Sequence, residues 1–142
     1  MLKVGELIEA QEAWDDVLEL SYDLRQKSRL RVGSLSGFEY GIQLPRGTVL
    51  QDGQLLRAED GRIIKIQAEC EALTEVSAPD GFQLARLCYH LGNRHVALQI
   101  TAGSVRYLQD NVMDQMLMQM GFELKHISAG FFPEPGAFNH HA

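Results

Sequence analysis

Two cysteines, Cys70 and Cys88, are all the thiol chemistry this chain has, and they lack the CxxC spacing of a redox or zinc motif. Both read as small buried hydrophobes of a protein kept in a reducing compartment. No apolar run approaches the ~18 residues of a membrane-spanning helix, so no membrane partner is expected. The opening stretch MLKVGELIEA has no signal-peptide core, which points to the cytoplasm. A phosphate loop, GxSxG, HExxH and a carboxylate pair tied to a nucleophile are all missing, so nothing supports an enzyme. Basic residues number 13 against 19 acidic, and the formal net charge of −6 argues against nucleic acid while suiting a cation as ligand.

What is present is a foldable chain. Its 142 residues, 45% of them hydrophobic, allow one ordinary domain or two small ones. The first half carries β grammar. Leu18, Leu20 and Tyr22 alternate with polar neighbours, as do Leu30 and Val32 against Arg29 and Arg31. Asp52-Gly53 and Asp60-Gly61 are hairpin signals between apolar runs, and Pro45 and Gly47 mark another turn. Residues 1–74 are therefore expected to form a β-rich domain of five to seven short antiparallel strands, a small barrel or sandwich. Val4, Leu7, Ile8 and Trp14 carry helical spacing, so residues 3–14 are open to either helix or strand.

The grammar changes in residues 75–142. A long strand over residues 62–78, bent and shared between the halves, leads into a helix capped by Asp80. Gln83 follows in a variant of the capping box. Leu84, Leu87, Cys88 and Leu91 make its apolar stripe, and Gly92 is expected to take the left-handed conformation that closes it. A strand then covers residues 96–101, Gly103-Ser104 turns, and another strand covers residues 105–109. A second helix over residues 112–120 has Asn111 as its cap, with Asp114 three residues on, and stops at Gly121. A last strand covers residues 122–127. The order βαββαβ predicts a ferredoxin-like domain, so the fold class is α+β. Both helices would cover one sheet face, leaving the other to the first domain, a ligand or a second subunit. No linker rich in Pro or Ser separates the halves, and their boundary falls near residue 75.

The strongest candidate residue is His95, placed where a helix gives way to a strand and a side chain is presented on fixed backbone. No HxxxH, HxH or Cys/His cluster surrounds it, so it cannot hold a metal alone. Further ligands would have to come from another chain or from the tail. A two-fold dimer with both copies of His95 near its axis would supply them. His90 lies off the apolar stripe and reads as structural or solvated, and His126 as a satisfied core or edge histidine. His140 and His141 are either a plain terminal tail, a tag remnant included, or a flexible ligand arm. Met113, Met116, Leu117 and Met120 follow helical spacing and read as a core stripe rather than a copper(I) site. Arg25, Lys27, Arg29 and Arg31 place four cations in seven residues of an acidic chain. A solvated strand edge and a docking patch for an acidic partner are both open.

LGNRH followed by VALQI and FFPEPGAF, with LRQKSRLRV and YGIQLPRGTVLQDGQLL before them, resembles the UreE family of urease accessory proteins, nickel metallochaperones. The likeness runs through nearly the whole chain in order. It implies an N-terminal domain likened to peptide-binding modules and a C-terminal ferredoxin-like domain for metal binding and dimerisation. It also implies that His95 of both subunits in a homodimer holds one nickel(II) ion at the interface, with His140 and His141 as supplementary ligands. Zinc(II) or copper(II) could occupy the same site, since imidazole affinity alone does not select nickel. The implied recipient is the urease maturation complex, reached through its accessory GTPase. The chain departs from relatives that carry histidines before the second helix, where it reads Tyr107-Leu108-Gln109-Asp110-Asn111, and it lacks a long histidine-rich tail. Two rival expectations are a purely protein-binding chaperone and a small metal-dependent hydrolase using His95.

Overall fold

The computed structural model describes residues 1–9, 11 and 13–135, and the chain divides into two compact units, Met1–Glu69 and Cys70–Ala142. In the first unit, strands β1 (Leu2–Ile8), β2 (Asp16–Leu20), β3 (Arg29–Gly33), β4 (Glu39–Gln43), β5 (Leu55–Ala58) and β6 (Ile63–Ala68) form one sheet in the order β2-β6-β5-β1-β4-β3. The ambiguous N-terminal stretch is thus a strand. Val4, Leu18, Leu20, Tyr40, Ile42, Leu56, Ile64 and Ile66 turn inward to a common core, so the sheet curls into a nearly closed barrel.

Three expectations for this unit change. Not all pairs are antiparallel, because β1 lies parallel to β4 and β2 parallel to β6. A tight turn imposes antiparallel pairing only on strands adjacent in sequence, here β3–β4 and β5–β6. Asp60-Gly61 makes the β5–β6 turn with Gly61 at φ +89°, whereas Asp52-Gly53 only leads into β5. Leu50 before it is buried in a loop, donating its N–H to Arg25 C=O at 2.8 Å. Finally, Tyr22 does not continue a strand. Ser21 accepts from Leu24 N–H at 3.3 Å and starts the single-turn helix α1 (Tyr22–Arg25).

The barrel's seam runs between the end strands β2 and β3. It is fastened near its end by Leu35 N–H to Val17 C=O at 3.0 Å and by the buried carboxylate of Asp16. Asp16 accepts from Ser36 Oγ at 2.6 Å, Tyr40 Oη at 2.8 Å and Val17 N–H at 2.8 Å. Burial opposes its ionisation, but these bonds and one from Ser34 outweigh that penalty and hold its pKa at about 2.

The second unit contains β7 (Glu71–Ser77), α2 (Gly81–Asn93), β8 (Gln99–Ile100), β9 (Ser104–Leu108), α3 (Asn111–Gln119) and β10 (Leu124–Ala129). The expected strand over residues 62–78 is really two, β6 and β7, one in each unit. The sheet order β10-β7-β9-β8, antiparallel throughout, is that of a ferredoxin-like βαββαβ domain. Leu87 and Leu91 of α2 and Met113 and Leu117 of α3 pack with Val76, Val105 and Tyr107 on one face. Met116 and Met120 join that cluster, so the methionines form a core stripe.

Helix α3 is fixed by a polar pin. Its N-cap is Asp110, not Asn111, accepting from Val112 and Met113 N–H at 2.8 and 3.0 Å. Asp114 is thereby free of capping and turns inward. It accepts from Thr74 Oγ1 at 2.9 Å and Tyr107 Oη at 2.5 Å, and pairs with His126 Nε2 at 2.9 Å. Those partners stand on β7, β9 and β10, so one carboxylate ties the helix to three strands. His126 is thus a satisfied edge histidine.

Beyond β10 the chain returns across the sheet. Phe132 N–H reaches Gln99 Oε1 at 3.0 Å and Glu134 N–H reaches Leu98 C=O at 2.7 Å, both at the β8 edge. From β10 to β8 is three strand spacings, roughly 14 Å. The helices occupy one face, so this segment crosses the other, where Phe131 and Leu73 are fully buried.

Candidate metal centre

Asp80 starts α2 by accepting from Gln83 N–H at 2.8 Å, and the buried Leu87 and Leu91 fix which face looks at the sheet. The end of the helix differs from expectation. Gly92 lies inside α2 and has no positive φ; the residue in the left-handed region is His95, at φ +58°. Arg94 is the C-cap, His95 N–H donates to Gly92 C=O at 3.0 Å, and Val96 N–H to Leu91 C=O at 3.3 Å. Those two bonds are the Schellman motif, with His95 at the position usually given to glycine. Val96 and Leu91 meet in the same apolar cluster, which completes it.

Helix α3 ends in the same way. Gly121 N–H bonds Met118 C=O at 3.0 Å, Phe122 N–H bonds Leu117 C=O at 3.1 Å, and Gly121 has φ +92°. One domain therefore closes two helices by one device, once with glycine and once with histidine. Among the described non-glycine residues only His95 has a positive φ. The left-handed conformation costs an L-residue about 1–2 kcal/mol. Residues held in strained backbone of this kind cluster at functional sites. The imidazole is exposed, on a backbone locked by two hydrogen bonds and an apolar contact.

Among the described residues no group of three His, Cys, Asp or Glu side chains could hold a metal ion. Among those residues His95 has too few neighbouring donors to complete a metal site, which takes several ligands. His140 and His141 lie outside the described residues. His90 packs edge-on against Tyr89 at 5.2 Å, and His126 is committed to Asp114, so neither joins His95.

Two domain models of one family match in the same order as the two units. The N-terminal domain model of the UreE urease accessory protein covers residues 3–69, and the C-terminal domain model covers residues 71–142. The chain belongs to the UreE urease accessory protein family. The urease accessory protein UreE of Alkalilimnicola ehrlichii is 48% identical over 97% of this chain and 85% of its own. That of Azotobacter vinelandii is 44% identical over 100% of this chain and 88% of its own. One of Pseudomonas fluorescens is 45% identical over the same shares.

The basic run is divided by this UreE fold. Arg25 is 3% exposed, so it is withdrawn from the docking patch. It ends α1 on the inner side, where its guanidinium donates to Leu20 C=O at 3.0 Å. Lys27, Arg29 and Arg31 are exposed, and Arg31 pairs with Glu39 at 3.2 Å. Arg46, which the charge run did not include, lines one cleft of about 610 Å³ with Gln26, Lys27, Ser28 and Arg29. Its signal in the sequence was only the turn Pro45-Arg46-Gly47. No helix of the described residues is long and apolar enough to cross a membrane.

Proposed function

We propose that this protein is a cytoplasmic nickel(II) carrier for assembly of the urease metallocentre. Two copies join through their C-terminal domains, and His95 of each holds one ion at the interface. The observation that carries this reading is the strained left-handed backbone of His95, at a cap where α3 uses glycine. Two imidazoles leave coordination positions open, so an incoming ligand can bind before the old one departs. The protein itself performs no covalent chemistry; it presents, holds and releases the cargo. Zinc(II) and copper(II) can compete for the same imidazoles, so nickel selectivity rests on supply and on the partner.

His140 and His141 are supplementary ligands in this reading. Glu134 is bonded to Leu98, three residues past His95. The N-terminal unit docks the partner, the urease maturation complex with its accessory GTPase, through Lys27, Arg29 and Arg31. That basic surface also favours the second reading, a protein-binding chaperone whose metal is incidental.

Calorimetric nickel titration of the protein beside His95→Ala decides between them. The carrier reading expects one ion per dimer and its loss in the variant. Unchanged binding would overturn it. Light scattering of chelator-treated protein is expected to give a dimer, and a monomer would remove the preformed interface.

A further inference from the structure

Strand β3 ends the six-stranded sheet and pairs with β4 alone. In an antiparallel pair, residues alternate between those whose backbone groups face the neighbour and those whose groups face away. Two bonds set the phase. Leu44 N–H donates to Ser28 C=O at 2.9 Å and Ser34 N–H to Phe38 C=O at 2.8 Å, so even-numbered residues face β4. Arg29, Arg31 and Gly33 accordingly turn their backbone groups to the open edge. Leu35 is next in that series, and its N–H does cross the seam, to Val17 at 3.0 Å. Leu35 lies just past β3, and among the described residues β3 itself makes no backbone bond to β2. The seam is fastened at the Leu35 end and unpaired toward Arg29.

The cleft of Gln26, Lys27, Ser28, Arg29 and Arg46 lies at that unpaired end. Lys27, Arg29 and Arg46 are exposed, and none has a side-chain hydrogen bond or ion pair among the described residues. Three uncompensated cations thus meet an open strand edge in a chain of net charge −6. We propose that this edge receives an extended acidic segment of a partner protein as an added strand. Backbone bonds form with Arg29 and Arg31, and carboxylates of the segment pair with Lys27, Arg29 and Arg46. Main-chain bonds supply affinity in such strand addition, while the charges steer the encounter and fix the register. The same cations repel a second copy of this edge, so self-pairing is opposed while an acidic strand is admitted. A nucleic acid is the poorer fit, because its repeated phosphates would meet only three cations in a chain of net charge −6.

This inference rests on the docking role proposed above for the N-terminal unit, and supplies its geometry. The test uses the full metal-free protein and a labelled short peptide alternating Glu and Val, read by fluorescence anisotropy. Binding is expected, weakening at least about tenfold in the double variant Arg29→Glu, Arg46→Glu. A peptide of the same sequence with N-methylated backbone amides keeps every carboxylate and is expected to lose a similar factor. Equal binding of the N-methylated peptide would overturn strand addition, and indifference to the charge reversals would overturn the cleft. Tighter binding of an oligouridylate at the same residues would assign the cleft to nucleic acid instead. Nickel titration of the same samples separates the two ideas. Peptide failure with nickel binding intact sinks only this inference, whereas nickel binding blind to His95→Ala sinks only the carrier reading.

Discussion

Substituting one position at each helix end measures the strain assigned to His95. His95→Gly and His95→Ala both remove the imidazole, so both are expected to lose the interfacial ion. They differ in backbone. Alanine keeps the left-handed penalty of about 1–2 kcal/mol, which glycine avoids. Glycine in turn loses about 0.4–1 kcal/mol through the greater freedom of its unfolded chain. The balance leaves His95→Gly more stable than His95→Ala by about 1 kcal/mol, or roughly 4–8 °C in Tm for a cooperative unit of this size. Two glycines calibrate the measurement. A Cβ on Gly121 meets nothing within 4 Å, so Gly121→Ala reports conformation alone and is expected to lose about the same amount. Gly92 is also open to a Cβ but sits inside α2, so Gly92→Ala is expected to gain about 0.5–1 kcal/mol. Thermal melts of the four metal-free variants make the comparison. Destabilisation by Gly92→Ala, with His95→Gly no better than His95→Ala, would put the left-handed residue at 92 and refute the cap described here.

Asp16 carries an acid-dependent share of stability. Its folded pKa lies below the ordinary 3.8, so the stabilisation is present above that value and is lost as pH falls through about 2. The loss is worth about 2 kcal/mol, read as acid unfolding of the N-terminal unit; Asp16→Asn should flatten that limb, and an unchanged acid profile would count against the pin. Burial opposes the charge on Asp114, but bonds from Tyr107, His126 and Thr74 hold its pKa below the carboxylate range. Tyr107→Phe is expected to cost about 1.5–3 kcal/mol and to move acid unfolding of the C-terminal unit to higher pH; a neutral substitution would mean the carboxylate is otherwise satisfied. Nickel affinity is expected to fall on acidification, because a protonated imidazole cannot bind a metal; calorimetry at a series of pH values shows it, and a flat profile would assign the ion to carboxylates.

Much of this protein was decided within short windows of its sequence. The apolar stripe of α2, the methionine stripe of α3, Gly121 as a stop and the Asp60-Gly61 turn depend on neighbours a few residues away. From them the βαββαβ order of the second unit follows, and so does the place of His95 between helix and strand. The parallel pairs β1–β4 and β2–β6 join segments far apart in sequence, so closure of a buried core chose them rather than any local turn. Arg25 and Arg29 stand four apart in one basic run, yet only the way α1 packs decides that the first is buried and the second open. Asp114 reads as a capping residue until Thr74, Tyr107 and His126 arrive from three strands. The exchange of roles between Gly92 and His95 has the same origin. Glycine is permitted the left-handed region, but Val96 must meet Leu91 in the core, and that contact sets the helix to end at Asn93 and places the strain on His95.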